Sequence, residues 1–281
     1  MKIGEYELFV LTSGDLLLDG GAMHGVVPKT LWEKTSPADE KNRIKLVTRH
    51  LLLVSDTKKI LIDTGSGVNW DEKFIKIFNI DYSRYSLFTE LKKLNINTDE
   101  ITDVIITHLH FDHIGGAVIF ENGKPIPAFS NATYHVQKKQ YEWGLNPSER
   151  DRASYFKERY VTLNNEGVLK QYDGNFDFDD NISFLEVNGH TPSQQLIKIT
   201  DSSSTLLYCA DLIPLASHIK LPYIMGYDLL PLVTLSEKKK LLKQATDENW
   251  HLFFEHDPYL AAATIKLGER GYELDKTFGT L

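Results

Sequence analysis

Thr107-His108-Leu109-His110-Phe111-Asp112-His113-Ile114-Gly115-Gly116 packs three histidines and one aspartate into six positions, directly after the apolar run Val104-Ile105-Ile106. The run reads as a buried strand, so the cluster begins where a strand ends. Strand-like alternation beyond Ile106 is expected to turn His108, His110 and Asp112 the same way. The permissive pair Gly115-Gly116 then lets the chain bring His113 round as well. Imidazole together with carboxylate suits zinc and other first-row divalent ions and lies outside the all-oxygen preference of calcium or magnesium. The plain alternative is a polar loop with scattered histidines, but crowding so many imidazoles without a shared ligand carries a desolvation cost.

One loop does not complete two metal sites, so further donors must come from other strand ends. Three candidates stand in such places. His190, in Asn188-Gly189-His190-Thr191-Pro192, follows a strand-like run at 182–187. Asp211 ends the run that starts at Thr205, and His256, in Glu255-His256-Asp257-Pro258, ends Leu252-Phe253-Phe254. Loops at strand ends gather functional groups because the sheet holds them rigidly. Taken singly each is weaker: Asp211 suits a turn, and His190 or His256 an ordinary loop.

Further out, strands are expected at 7–11, 45–54 and 60–62, with Ser55-Asp56-Thr57-Lys58 joining the last two as a hairpin. Residues 14–42 carry Gly20-Gly21, Pro28 and Pro37 without periodicity and read as a long loop excursion. Leu87, Leu91 and Leu94 mark one face of a helix over 83–94. A polar helix over 148–160, strands at 182–187, 196–199 and 205–208, a helix over 236–249 capped by Ser236, and a strand at 252–254 complete the pattern. Strands and helices mingle along all 281 residues, which predicts a single α/β domain spanning 1–281.

Lys and Arg total 31 against 39 Asp and Glu, a formal charge of −8, which opposes nucleic acid or anionic lipid as a partner. The apolar run near the N-terminus is too short for an export signal or a membrane span, so a cytoplasmic protein acting on a small-molecule substrate is expected. A homodimer is compatible with this reading. Cys209 is the single cysteine, which excludes an intrachain disulfide and a thiolate cluster and leaves nitrogen and oxygen to hold any metal. Its place two residues before Asp211 puts it on the same strand face, as a packed core residue. His50, His135 and His251 lie in or beside strand-like stretches and read as hydrogen-bonded structural residues.

The motif at 108–113, followed in order by His190, Asp211 and His256 and preceded by Leu61-Ile62-Asp63-Thr64-Gly65, resembles the dinuclear signature of metallo-β-lactamase-fold hydrolases. The resemblance covers about residues 45–258. It implies a four-layer αβ/βα sandwich, with two mixed sheets face to face, helices outside and metals at one edge. It implies that His108, His110 and His190 hold one divalent ion, that Asp112, His113 and His256 hold the other, and that Asp211 bridges them. Asp63 would hydrogen-bond a ligand imidazole. Zinc is the first expectation, with iron, manganese and cobalt as alternatives. A hydroxide shared by the ions would be the nucleophile, with Asp211 and Asp112 the catalytic carboxylates and Asp112 also passing a proton to the leaving group.

For substrate, the resemblance is to N-acyl-homoserine lactonases, acting on lactones or activated esters, and to phosphotriesterases of the methyl-parathion-hydrolase type. The lactonase pattern has a tyrosine three residues after the bridging aspartate, where this chain has Pro214, which has no hydroxyl to donate. A glyoxalase-II-like thioesterase fits less well, because the stretch after His256 is short for that family's helical domain. The flavo-diiron branch replaces the second motif histidine by an acid, whereas His110 is present here. A non-catalytic binding module would be expected to have lost ligands. Met23, His24, Phe111, His218, Tyr223 and Tyr227 are the candidate lining of the substrate pocket.

Overall fold

The computed structural model describes residues 1–83 and 86–281. The chain opens with strands β1 (Lys2–Ile3), β2 (Tyr6–Asp19), β3 (Arg43–Val54), β4 (Lys59–Ile62) and β5 (Asp103–Ile105). A small hairpin, β6 (Val118–Glu121) and β7 (Lys124–Pro127), precedes β8 (Thr133–Gln137) and β9 (Leu169–Tyr172). Strands β1 to β5 with β8 and β9 form one seven-stranded sheet, in which β4, β5, β8 and β9 run parallel. The second seven-stranded sheet follows chain order through β10 (Phe176–Asp177), β11 (Ile182–Val187), β12 (Gln194–Thr200), β13 (Thr205–Tyr208), β14 (His251–Phe253), β15 (Ala262–Gly268) and β16 (Gly271–Phe278).

Alternation along the strands explains the layers. Leu51, Leu53, Ile60, Ile62 and Ile105 face the second sheet, packing with Phe184, Ile197 and Leu207. Their neighbours Leu52, Leu61, Val104 and Ile106 face the other way, against Leu91, Tyr160 and Leu163 of the helices Leu87–Lys93 and Glu158–Asn165. The helix Pro231–Asp247 covers the outer side of the second sheet through Leu242 and Ala245. Helix, sheet, sheet, helix is the expected αβ/βα sandwich. No helix among the described residues is long and apolar enough to cross a membrane.

Several boundaries differ from expectation. The excursion at 14–42 is not a loop throughout: β2 continues to Asp19 and pairs with β3 as far as Asp19 opposite Arg43. The sequence hides this because Gly14 reads as a breaker, whereas the ladder absorbs it as a register shift between Thr12 and Gly14. Short helices Gly20–His24 and Lys29–Trp32 follow, and Leu16, Met23, Trp32, Ile44 and Leu46 build a third apolar cluster beside the sheet edge. The helix expected over 148–160 is instead a turn at Arg152–Ser154 and a helix at Glu158–Asn165. Asp151 accounts for the difference, since its carboxylate accepts from Ser148 and from the Trp143 indole and so fixes a turn. The helix Lys138–Leu145 was not expected at all. The last long helix starts at Pro231, whose fixed φ suits a first turn, and not at Ser236. Of the helix expected from 83, residues 84 and 85 lie outside the described residues.

Candidate metal centre

Every strand that carries a candidate ligand ends on the same edge. β5 leads into His108, β11 into His190, β13 into Asp211 and β14 into His256. The motif itself does not continue as a strand beyond Ile106. Phe111–Ile114 is a single helical turn, with His113 and Ile114 amides donating to the His110 carbonyl at 3.0 and 3.1 Å. Helical spacing, not strand alternation, therefore presents Asp112 and His113. The turn is clamped to the loop after β4. The Thr64 amide donates to the His113 carbonyl at 2.8 Å, and a Cβ at Gly115 would meet the Ser66 carbonyl oxygen at 2.1 Å, so only glycine permits this approach. Buried Arg159 closes the clamp by donating to the carbonyls of Gly115, Val118 and Val68.

Two groups of ligand atoms result. His108 Nε2 and His190 Nε2 each lie 3.1 Å from His110 Nδ1, and Asp211 Oδ2 is 3.1 Å from His190 Nε2. In the other group His113 Nε2 and His256 Nε2 are 3.2 Å apart, Asp211 Oδ1 is 3.1 Å from His256 Nε2, and Asp112 oxygens lie 3.9 and 3.8 Å from the two nitrogens. Donors held tetrahedrally about 2.1 Å from one ion are roughly 3.4 Å apart, so the spacing matches a metal shell. Asp211 Oδ1 is buried without a hydrogen-bond partner. Both groups meet the requirement for a cation held by nitrogen and oxygen.

On three of the imidazoles the opposite nitrogen is pinned. His190 Nδ1 donates to Asp228 Oδ1 at 2.8 Å and His256 Nδ1 to the Val47 carbonyl at 2.9 Å. His113 Nδ1 donates to Asp63 Oδ2 at 3.0 Å, while Asp63 also accepts from the Thr107 amide and hydroxyl. Acceptor-only partners leave the inward nitrogens with their lone pairs free. Burial pushes His108 and His110 well below the ordinary imidazole range, so they stay neutral and ready to ligate. Burial opposes charge on His190 and His256 too, but Asp211 outweighs it and holds both up at about 9. Burial likewise works against the Asp211 carboxylate, yet His113, His190 and His256 keep it well below the usual range. The centre thus gathers positive charge even from protons.

Beside it lies a cavity of about 330 Å³ lined by Leu18, Met23, Leu46, Phe78, Phe111, Met225 and Tyr227, with Asp112, His110 and Asp211 in its wall. Of the six expected pocket residues, Met23, Phe111 and Tyr227 line it. His24, His218 and Tyr223 do not: His24 and His218 stack behind Met23 with Tyr223 edge-on to them, and His218 Nε2 donates to the Met23 carbonyl. Pro214 points no group into the cavity wall, and its carbonyl accepts from the His256 amide at 3.1 Å. Cys209 is not on a strand face with Asp211, because β13 ends at Tyr208 and Ala210–Leu212 is a turn. It is fully buried, and burial pushes its thiol up. His50 and His135 take hydrogen bonds, from or to Ser13 and to Asp103 and Tyr172.

The sequence pattern that defines the metallo-β-lactamase superfamily matches residues 50–256. This chain belongs to that superfamily. The N-acyl homoserine lactonase AiiA of Bacillus thuringiensis subsp. kurstaki is 30% identical over 223 residues, 73% of this chain and 79% of its own. A probable metal-dependent hydrolase from Staphylococcus aureus superposes with a TM-score of 0.90 at 27% identity, covering 99% of this chain and 98% of that one. AidC, a dizinc quorum-quenching lactonase solved with the product N-hexanoyl-L-homoserine, gives 0.80 at 26% identity, covering 98% and 95%. As a member of the superfamily with these relatives, the protein is a metal-dependent hydrolase of metallo-β-lactamase fold.

Two groups at this superfamily site had no signal in the motif. Asp228 lies 38 positions beyond the histidine it holds, on a turn with no ligand pattern. Glu255 is fully buried with Oε2 3.2 Å from His113 Nδ1, and burial, reinforced by Asp63, pushes its carboxyl up to about 8. Its position before His256 is the one hint the sequence offered.

Proposed function

We propose that this hydrolase opens the ring of N-acylated lactones, with two divalent ions held by the two groups of imidazoles. The observation that carries the reading is Asp211, whose two oxygens each lie 3.1 Å from an imidazole nitrogen of a different group, beside an apolar cavity. Lactonase relatives supply the substrate class. Zinc is the first choice of ion, with iron, manganese and cobalt compatible with the same donors. Ions held there would supply a water of near-neutral pKa and Lewis-acid polarisation of the ester carbonyl.

The protein's own residues do the rest. Asp211 joins both groups and offsets their charge. Asp112 projects from its helical turn into the cavity wall, 10% exposed, where it takes a proton from the attacking water and returns it to the ring oxygen that leaves. Tyr227 stands in for the hydroxyl that Pro214 lacks. It keeps its proton, being pushed up to about 12 by partial burial and by Asp19 and Asp112, and so donates to the substrate carbonyl. Met23, Phe78, Phe111 and Met225 keep bulk water from the reacting ester and hold the acyl chain.

Elemental analysis of reconstituted protein, paired with ring opening of N-hexanoyl-homoserine lactone followed by pH-stat, tests this. Close to two ions per chain and turnover are expected; at most one ion, or no turnover in loaded protein, overturns it. Asp112→Asn with both ions retained should slow ring opening by about a hundredfold. Equal rates for loaded wild type and variant would remove the proton-carrying role.

A further inference from the structure

Next to the metal-site cavity runs a second, almost wholly apolar groove of about 690 Å³, lined by Val26, Leu221, Ile224, Leu229, Leu232 and Leu235. Val26 is 92% exposed and Leu232 79%, a concentration of bare apolar surface that implies an occupant. The two spaces have three wall residues in common: Arg150, Met225 and Gly226. The Arg150 guanidinium donates to the Gly226 carbonyl and so forms a bar between them.

One side of this bar is rigid and the other is not. The Gly226 amide donates to the Ala22 carbonyl at 2.7 Å, the Asp228 amide to Met225 at 3.2 Å, and the Leu230 amide to Gly189 at 2.8 Å. Asp228 is further held by His190. The 225–230 turn is therefore fixed to the metal centre and to the helix Gly20–His24. Arg150 is exposed, and among the described residues its guanidinium hydrogen-bonds to the Gly226 carbonyl; a single hydrogen bond to a carbonyl in water contributes little net and breaks readily.

We infer that the Arg150–Gly226 contact sets how long an acyl chain the protein accepts, and that the groove beyond it is a second, chain-binding subsite for lipophilic tails. The inference rests on the lactone reading of the metal site. A chain whose head lies at Asp112 and Asp211 fills the first cavity past Met23 and Phe111 and then meets the bar. Shorter chains end there. A longer chain must displace Arg150, and gains the leucine-lined groove only when it does.

The test is an affinity ladder on metal-loaded protein, by calorimetry, with ring-opened N-acyl homoserines from butanoyl to dodecanoyl, run beside lactone kinetics. Wild type should tighten with each methylene up to a middle length and then level off. Arg150→Ala should carry the gain onward by up to about fourfold per methylene, leaving the short chains unchanged. Adding Leu232→Asp to Arg150→Ala should flatten the long-chain end again. Superimposable ladders for wild type and Arg150→Ala, a uniform loss at every length, or no binding by either protein overturns the subsite. Absence of lactone turnover alongside the predicted ladders removes the proposed reaction and leaves the subsite standing.

Discussion

Two sets of buried histidines lie a few side chains apart and behave in opposite ways. At the sheet edge, His108, His110, His113, His190 and His256 aim nitrogens at two common points, with Asp211 between them. Behind Met23, His24 stacks on Trp32 and on His218 with ring centroids 5.1 Å apart and planes 14° and 21° from parallel. The first set presents edges and the second presents faces. Carboxylates accompany the first, so two of its members are held up at about 9, whereas burial alone lowers His24 to about 4 and, with His24 beside it, keeps His218 neutral. Burial and histidine content do not distinguish ligands from packing. The direction of the lone pairs and the presence of anions do.

The contrast is open to direct attack. The largest effect is expected from Asp211→Ala, which removes an oxygen from both groups; metal content and turnover should fall by more than the 10–100-fold typical of losing an outer partner. Retention of two ions and activity, by elemental analysis and kinetics, breaks the division between the sets. Asp228→Ala, which frees His190 Nδ1, should weaken metal affinity by about 10–100-fold while the fold survives, as read by competition with a chromophoric chelator. An unchanged affinity makes Asp228 a packing residue.

A smaller effect concerns protons. His190 and His256, raised from 6.5 to about 9, bind more protons folded than unfolded across that interval. Their contribution to the stability of ion-free protein is complete below 6.5 and is lost as pH rises through about 9. Loading with metal near pH 7 should accordingly release protons, measured by calorimetry in buffers of different ionisation enthalpy. Loading without proton release contradicts the charge picture of the first set. The smallest effect is expected from His24→Phe, which keeps the stack and loses a hydrogen bond to Ser36, a change of about 1 kcal/mol in stability. Metal content should not move; if it does, the second set belongs to the site.

The seven ligand candidates were legible because strand, motif and glycine pair lie next to each other in sequence, and because each distant donor directly follows an apolar strand. Ile182–Val187 and Thr205–Tyr208 have the bounds the sequence predicts, since Ile182, Phe184 and Val187 in one and Leu206, Leu207 and Tyr208 in the other are buried in the core and mark each run. The β2–β3 arm was not legible beyond Gly14, because whether a glycine breaks a strand or bulges it depends on the partner strand opposite. His218 and Tyr223 follow Asp211 closely in sequence, but their side chains turn behind Met23, and chain proximity carries no information about which side of a wall a ring lies on.

What the sequence determined by itself is the local chemistry: nitrogen and oxygen donors, no thiolate cluster, net acidic charge, and a motif dense enough to name a fold. These follow from residue identity and short spacing, which do not change when the chain folds. What only the tertiary structure decided is which atoms converge and which spaces connect. Asp228 reaches His190, Glu255 faces His113, and Arg150 meets Gly226, pairs separated by 38, 142 and 76 positions. Such contacts depend on how two sheets and their loops stack, a geometry set by the summed packing of the core and not by any residue near the contact.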